Sequence, residues 1–97
     1  MGSSKKESQE RELYKALLKL NSVEECHAFF HDLCTPAEIH AMAERWQIAE
    51  LLFSEDFSYR ELHERTGSSL TTIGRVARFL KEEHYQGYMM ILKRLKE

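Results

Sequence analysis

The sequence predicts an all-α fold of six helices. One Pro and four Gly in 97 residues leave few backbone breakers. Apolar residues recur at three- and four-residue spacing, the helical period, and no segment has the two-residue alternation of a half-buried strand. Ser and Thr residues followed three positions later by Glu punctuate this pattern and mark helix starts. No apolar run reaches membrane-spanning length and no leader segment is recognised, so a cytoplasmic protein without a membrane partner is expected.

The opening MGSSKKESQE is polar, and residues 1–7 are read as a flexible N-terminus before a single domain over 8–97. The first helix is expected from about Ser8 to Leu20, with Leu13, Ala16, Leu17 and Leu20 on one face. Asn21-Ser22 breaks it. Ser22 with Glu25 caps a second helix that ends near Cys34 and carries Val23, Cys26, Phe29, Phe30 and Leu33. Thr35 as cap, Pro36 at the first helical position and Glu38 beyond them start a third helix, running to about Phe53. Ile39, Met42, Trp46, Ala49 and Leu52 form its stripe, widened by Ile48 and Leu51. Trp46, in register with Met42 and Ala49, is read as core. Ser58 with Glu61 opens a fourth helix and Ser69 caps a fifth, which reaches Lys81. After a pause at His84 to Gly87, a sixth runs from about Tyr88 to Lys96 with Met89, Leu92 and Leu95 on one side. The first, second and sixth helices are apolar over wide arcs. So much uncovered surface predicts an extensively packed, interlocked homodimer.

Net charge is −2, yet it divides unevenly. Residues 1–56 hold six Lys/Arg against eleven Asp/Glu; residues 57–97 hold eight against five. Such asymmetry is the expected footprint of one face that meets phosphate. The basic part contains the most informative segment, Phe57 to Lys81. Two short amphipathic helices flank a turn at Thr66-Gly67-Ser68, and Gly67 supplies the positive φ that a steep bend needs. Leu62, Ile73 and Val76 are positioned to hold the two helices together. This is the pattern of a helix-turn-helix, whose second helix enters the DNA major groove. Hydroxyl and basic side chains face outward, suited to phosphates and base edges. The candidate DNA-binding residues are Tyr59, Arg60, His63, Ser68, Ser69, Thr71, Thr72, Arg75, Arg78 and Lys81. His63 stands where such motifs usually place Ala or Gly.

Other chemistry finds little support. There is no Gly-rich phosphate loop, no Gly-x-Ser-x-Gly and no paired-Cys motif, so no enzyme and no cofactor are expected. Cys26 and Cys34 lie ~12 Å apart along a helix, too far to bridge, and are read as buried thiols. His27, His31 and Cys34 share a helix face, but no further ligand pair completes a tetrahedral set, so no metal site is assigned.

Leu33 to Lys81 resembles the tryptophan repressor superfamily. The carrying residues are L-x-T-P-x-E at Leu33 to Glu38, Arg45, and I-x-E-L-L at Ile48 to Leu52. S-x-R-E-L follows at Ser58 to Leu62, then Gly67, T-I-x-R at Thr72 to Arg75, and Leu80-Lys81. With EECHAFFHDLCT upstream and GYMMILKRLK at the end, the likeness extends nearly end to end to small repressor-related proteins of the YerC/YecD type. The resemblance implies a six-helix subunit in an intertwined homodimer on a palindromic operator of double-stranded DNA. It implies a base contact for Arg60 and phosphate contacts for Tyr59 and Thr72. The repressor has Lys where this chain has His63, making that contact pH-sensitive or lost. Gly74 replaces a hydroxyl residue, so a different operator is expected.

The resemblance also places an effector pocket at Thr35, Arg45, Arg75 and Phe79. The repressor has Gly and Ser where this chain has Val76 and Phe79. These larger residues would fill the space, and Phe79 offers no hydroxyl. The expectation is a DNA-binding transcriptional regulator, a repressor, that does not respond to tryptophan. Arg45 and Arg75 are then left for DNA phosphate or for a small anionic effector. Two alternatives stand beside it. One is a helical dimeric protein-interaction module with a vestigial helix-turn-helix. The other is a metal- or redox-responsive regulator acting through Cys26, His27, His31 and Cys34.

Overall fold

The computed structural model describes residues 4–97; residues 1–3 of the expected flexible terminus lie outside the described residues. All six expected helices form: α1 Lys5–Leu17, α2 Val23–Leu33, α3 Pro36–Ser54, α4 Tyr59–Thr66, α5 Leu70–Lys81 and α6 Gly87–Lys96. No strand occurs among the described residues, and no helix is long and apolar enough to cross a membrane. The chain divides into two compact units at Pro36/Ala37.

The first unit contains α1 and α2. Helix α1 starts at Lys5, ahead of the expected Ser8, because Ser4 and Glu7 make a full capping box. The Glu7 backbone N–H donates to Ser4 Oγ at 3.1 Å and the Ser4 N–H to Glu7 Oε1 at 3.0 Å. These bonds satisfy donors that a helix start leaves without partners. The helix also ends earlier, at Leu17, where tighter backbone bonds run from Lys19 to Ala16 and from Leu20 to Leu17. Ser22 caps α2 as expected, accepting from the Glu25 N–H at 3.1 Å. No residue of α1 or α2 is buried.

The second unit holds the core. Ile48 and Ala49 of α3, Leu62 of α4, Ile73, Val76 and Leu80 of α5, and Leu92 of α6 form one buried cluster. Trp46, Leu51, Leu52, Phe53, Phe57, Tyr88 and Met89 pack against it, half-buried. Each fully buried aliphatic side chain contributes roughly 1.5–3 kcal/mol relative to exposure. Leu62, Ile73 and Val76 hold the helix-turn-helix together as their spacing predicted. The expected α3 stripe is displaced: Met42 is exposed, while Ile48 and Ala49 take the centre. Leu95, expected beside Leu92, is also exposed. The corner before α6 turns at Gln86, which adopts the left-handed region at φ 57° and donates from Nε2 to the Glu83 carbonyl at 2.7 Å.

Helix α4 has the second complete capping box. Ser58 N–H donates to Glu61 Oε1 at 2.9 Å and Glu61 N–H to Ser58 Oγ at 3.1 Å. The Ser58 backbone bond, then its side chain, holds the Glu61 carboxyl below its ordinary value of 4.5, with a smaller pull from Arg65. A carboxyl with a lowered folded-state pKa stabilises the fold fully above its unfolded value, and that stabilisation is lost as pH falls through the folded value. Glu61→Gln keeps an acceptor but cannot titrate. Its melting temperature is expected to fall less steeply than the wild type's between about pH 5 and pH 3; equal acid slopes would remove the cap from the account. Leu62→Ala is expected to cost about 2–5 kcal/mol in denaturant unfolding, the range for a large-to-small change in a closed core.

Candidate nucleic-acid interface

The turn between α4 and α5 depends on Gly67, which closes α4 at φ 75° with its N–H on the His63 carbonyl. A side chain in that left-handed region crowds its own carbonyl, which is why the position favours glycine. Ser68 follows, and all its polar atoms are used. Its N–H donates to Thr66 Oγ1 at 3.1 Å, its carbonyl accepts from His63 Nδ1 at 2.7 Å, and its hydroxyl donates to Glu44 Oε2 at 3.2 Å. Thr66 in turn donates to the Leu62 carbonyl at 2.7 Å. Ser69 then caps α5, accepting from the Thr72 N–H at 3.1 Å and donating to Thr72 Oγ1 at 3.0 Å.

Tyr59, Arg60, His63, Ser69, Thr71, Arg75, Arg78 and Lys81 are exposed on α4, the turn and α5, with Thr72 half-exposed. Ser68 is the exception. It is 3% exposed, so its side chain is a fastener inside the turn rather than part of that surface. His63 is split: Nδ1 must carry a proton to donate to the Ser68 carbonyl, which leaves Nε2 for outward contacts. The Tyr59 ring approaches Gly74 closely, Cε2 lying 4.0 Å from where a Cβ would stand. Arg60 Nε is 3.8 Å from Glu64 Oε2, and Arg78 Nε is 3.5 Å from Glu83 Oε2. Pairs this exposed hold weakly, at ~0–1 kcal/mol, and an incoming phosphate can replace the carboxylate.

Leu70, not among the predicted residues, also reaches this surface. It is 57% exposed at the first position of α5. Its spacing to Ile73 and Ala77 belongs to the buried stripe, so periodicity assigns it to the core. At the helix end nothing covers it. An exposed apolar group there suits a thymine methyl.

Beside α5 lies a cleft of about 610 Å³, walled by Trp46, Arg75, Val76, Phe79, Tyr88 and Ile91 among others. The Trp46 and Tyr88 rings are 6.3 Å apart there. Two of the four expected effector residues line this cleft. These are Arg75 and Phe79; Arg45 is half-buried on α3. The Phe79 ring lies against two arginines at the cleft wall. The guanidinium of Arg75 sits over its ring at 4.4 Å and that of Arg78 at 5.0 Å, while Tyr85 stacks at 6.5 Å. On α2, the His27 and His31 rings stack at 3.9 Å, His31 Nδ1 donates to the His27 carbonyl at 2.8 Å, and Cys26 and Cys34 are free thiols. No group of three or more metal-ligating side chains forms among the described residues.

A buried helix-turn-helix junction under an exposed basic and hydroxyl surface, within six helices, describes a particular class. The family model for the Trp repressor protein matches residues 8–96, and the chain belongs to the Trp repressor family. The uncharacterized protein YerC of Bacillus subtilis (strain 168) is 41% identical over 86 residues, spanning 89% of this chain and 81% of its own. A TrpR-like protein from Eubacterium eligens ATCC 27750 superposes with a TM-score of 0.81 at 35% identity, covering 89% of this chain and 87% of that one. A Trp-repressor candidate from Staphylococcus aureus gives 0.84 at 36% identity, covering 97% and 96%.

The two motif glycines respond oppositely to alanine. Gly67→Ala is expected to cost about 1–2 kcal/mol through backbone strain alone, since nothing lies within 4 Å of the new Cβ. Gly74→Ala, inside α5, meets only ordinary contact with Tyr59 and is expected to stabilise by about 0.5–1 kcal/mol. Chemical denaturation of both variants measures this.

Proposed function

We propose that this protein is a sequence-specific DNA-binding transcriptional regulator, a repressor, acting as a cytoplasmic homodimer on a palindromic operator. Residues 8–97 then work as one domain. The observation that carries the reading is the α4–α5 surface. Leu62, Ile73 and Val76 are fully buried, whereas Tyr59, Arg60, Ser69, Thr71, Arg75, Arg78 and Lys81 stand exposed. Arg60 is assigned to guanine, Leu70 to an apolar base edge, and Tyr59, Thr72 and Lys81 to phosphate. His63 contributes through Nε2.

The dimer is supported by α1 and α2. Tyr14, Leu18, Val23 and Leu33 are exposed large apolar residues on or beside these helices, which bury nothing. Helices of this length gain most of their stability from tertiary packing, so a second copy is the natural cover.

Tryptophan is not the proposed effector. Val76 and Phe79 stand where the resemblance places Gly and Ser; Val76 is fully buried, and the Phe79 ring already lies against the Arg75 guanidinium. The remaining cleft suits another small molecule, with Arg75 able to meet an anion.

Selection from a random duplex pool followed by gel shift tests the reading. The expected product is a palindrome bound with a steep salt dependence. Arg60→Ala and Arg78→Ala should each weaken binding by roughly tenfold or more. Equal binding by both variants would show that another surface reads DNA. Titration calorimetry with L-tryptophan should give no heat; micromolar binding that tightens DNA affinity would overturn the effector assignment.

A further inference from the structure

The helix-turn-helix turn is tied to α3 by one polar contact. Ser68 is buried, and its hydroxyl donates to Glu44 Oε2 across 24 residues of sequence at 3.2 Å. Glu44 is a third-helix residue with 29% side-chain exposure, and His40 Nε2 lies 3.7 Å from the same oxygen. The other two polar atoms of Ser68 are held by Thr66 and His63, both on α4. Ser68, the residue before the α5 cap, therefore joins the end of α4 to the flank of α3. Among the described residues, the other side-chain hydrogen bonds at this turn stay within the motif.

A carboxylate at this place is unexpected on electrostatic grounds. If α5 enters a major groove, a negative charge at the foot of the motif opposes the approach of phosphate. Charge alone would disfavour Glu here. Its geometry supplies the compensating role. A hydrogen bond from a buried hydroxyl to a carboxylate is more directional than apolar packing, and this one ties the residue before the α5 cap to α3. Leu62, Ile73 and Val76 hold α4 against α5, and the Ser68–Glu44 bond adds a directional tie from their turn to α3.

We propose that Glu44 is a positioning residue for DNA reading, fastening the Ser68 turn to α3 so that α5 meets base edges in register. This rests on the DNA-binding reading above. Glu44 need not touch DNA. Its effect falls on discrimination between a matched site and random sequence, because phosphate attraction survives a small change of helix angle and base contacts do not.

The test measures binding of full-length wild type and variants to two probes, the palindrome selected by wild type and a random-sequence duplex of equal length. Glu44→Ala should lose roughly tenfold on the palindrome and bind the random duplex as well as wild type or better. Glu44→Gln keeps an oxygen acceptor for Ser68 while losing the charge, and should stay within about twofold of wild type on the palindrome. Ser68→Ala should match Glu44→Ala, and the double variant should lose no more than either single one. Melting temperatures confirm that the variants fold. Glu44→Ala binding the palindrome as tightly as wild type, or tighter, overturns the proposal, since the carboxylate is then only a repulsive charge. An equal loss on both probes also overturns it. If wild type itself selects no sequence, the DNA-reading assignment falls first and is told apart from a failure of Glu44.

Discussion

Helix α4 is eight residues long and buries one side chain, Leu62. A helix so short has no independent stability in water, because nucleation is costly and few backbone bonds follow it. Its existence depends on that one side chain meeting Ile73 and Val76, and on polar fastening at both ends. At its start Ser58 and Glu61 satisfy each other's backbone. At its end Gly67 turns left-handed and Ser68 is held by Thr66, His63 and Glu44. Apolar burial provides the adhesion, and the hydrogen bonds specify the angle. The surface that α5 presents follows from both.

The distribution of charge has the same logic. The chain as a whole is slightly acidic, yet the exposed positions of α4 and α5 carry Arg60, Arg75, Arg78 and Lys81. Acidic partners Glu64 and Glu83 stand beside two of these arginines at 3.5–3.8 Å. Such exposed pairs are readily exchanged, so they keep the free surface from being strongly cationic while leaving the arginines available.

Most of the architecture was legible in the sequence because capping is local. Ser22, Ser58 and Ser69 mark helix starts, and Gly67 marks the bend. The early start of α1 is also local: Ser4 and Glu7 carry the same signature as Ser58 and Glu61. The core was less legible. Periodicity says which residues share a face but not which part of the face is covered, so Met42 and Leu95 read as part of apolar faces and are exposed. The candidate site was legible where it lies on one helix and opaque where it depends on tertiary approach. Ser68 looks like a surface hydroxyl until Glu44, far away in sequence, is brought beside it. The cleft itself is likewise tertiary: Arg75 and Phe79 of α5 line it together with Trp46 of α3 and Tyr88 and Ile91 of α6.

The clasp of Phe79 by Arg75 and Arg78 has an entropic consequence. A free arginine side chain surrenders up to ~2 kcal/mol of rotamer freedom when a ligand immobilises it. Two guanidinium groups already resting on one aromatic ring have given up part of that freedom during folding. Whatever anion they meet therefore encounters donors that are partly ordered in advance. On this account the ring is valuable less for the volume it occupies than for the motion it removes from its neighbours.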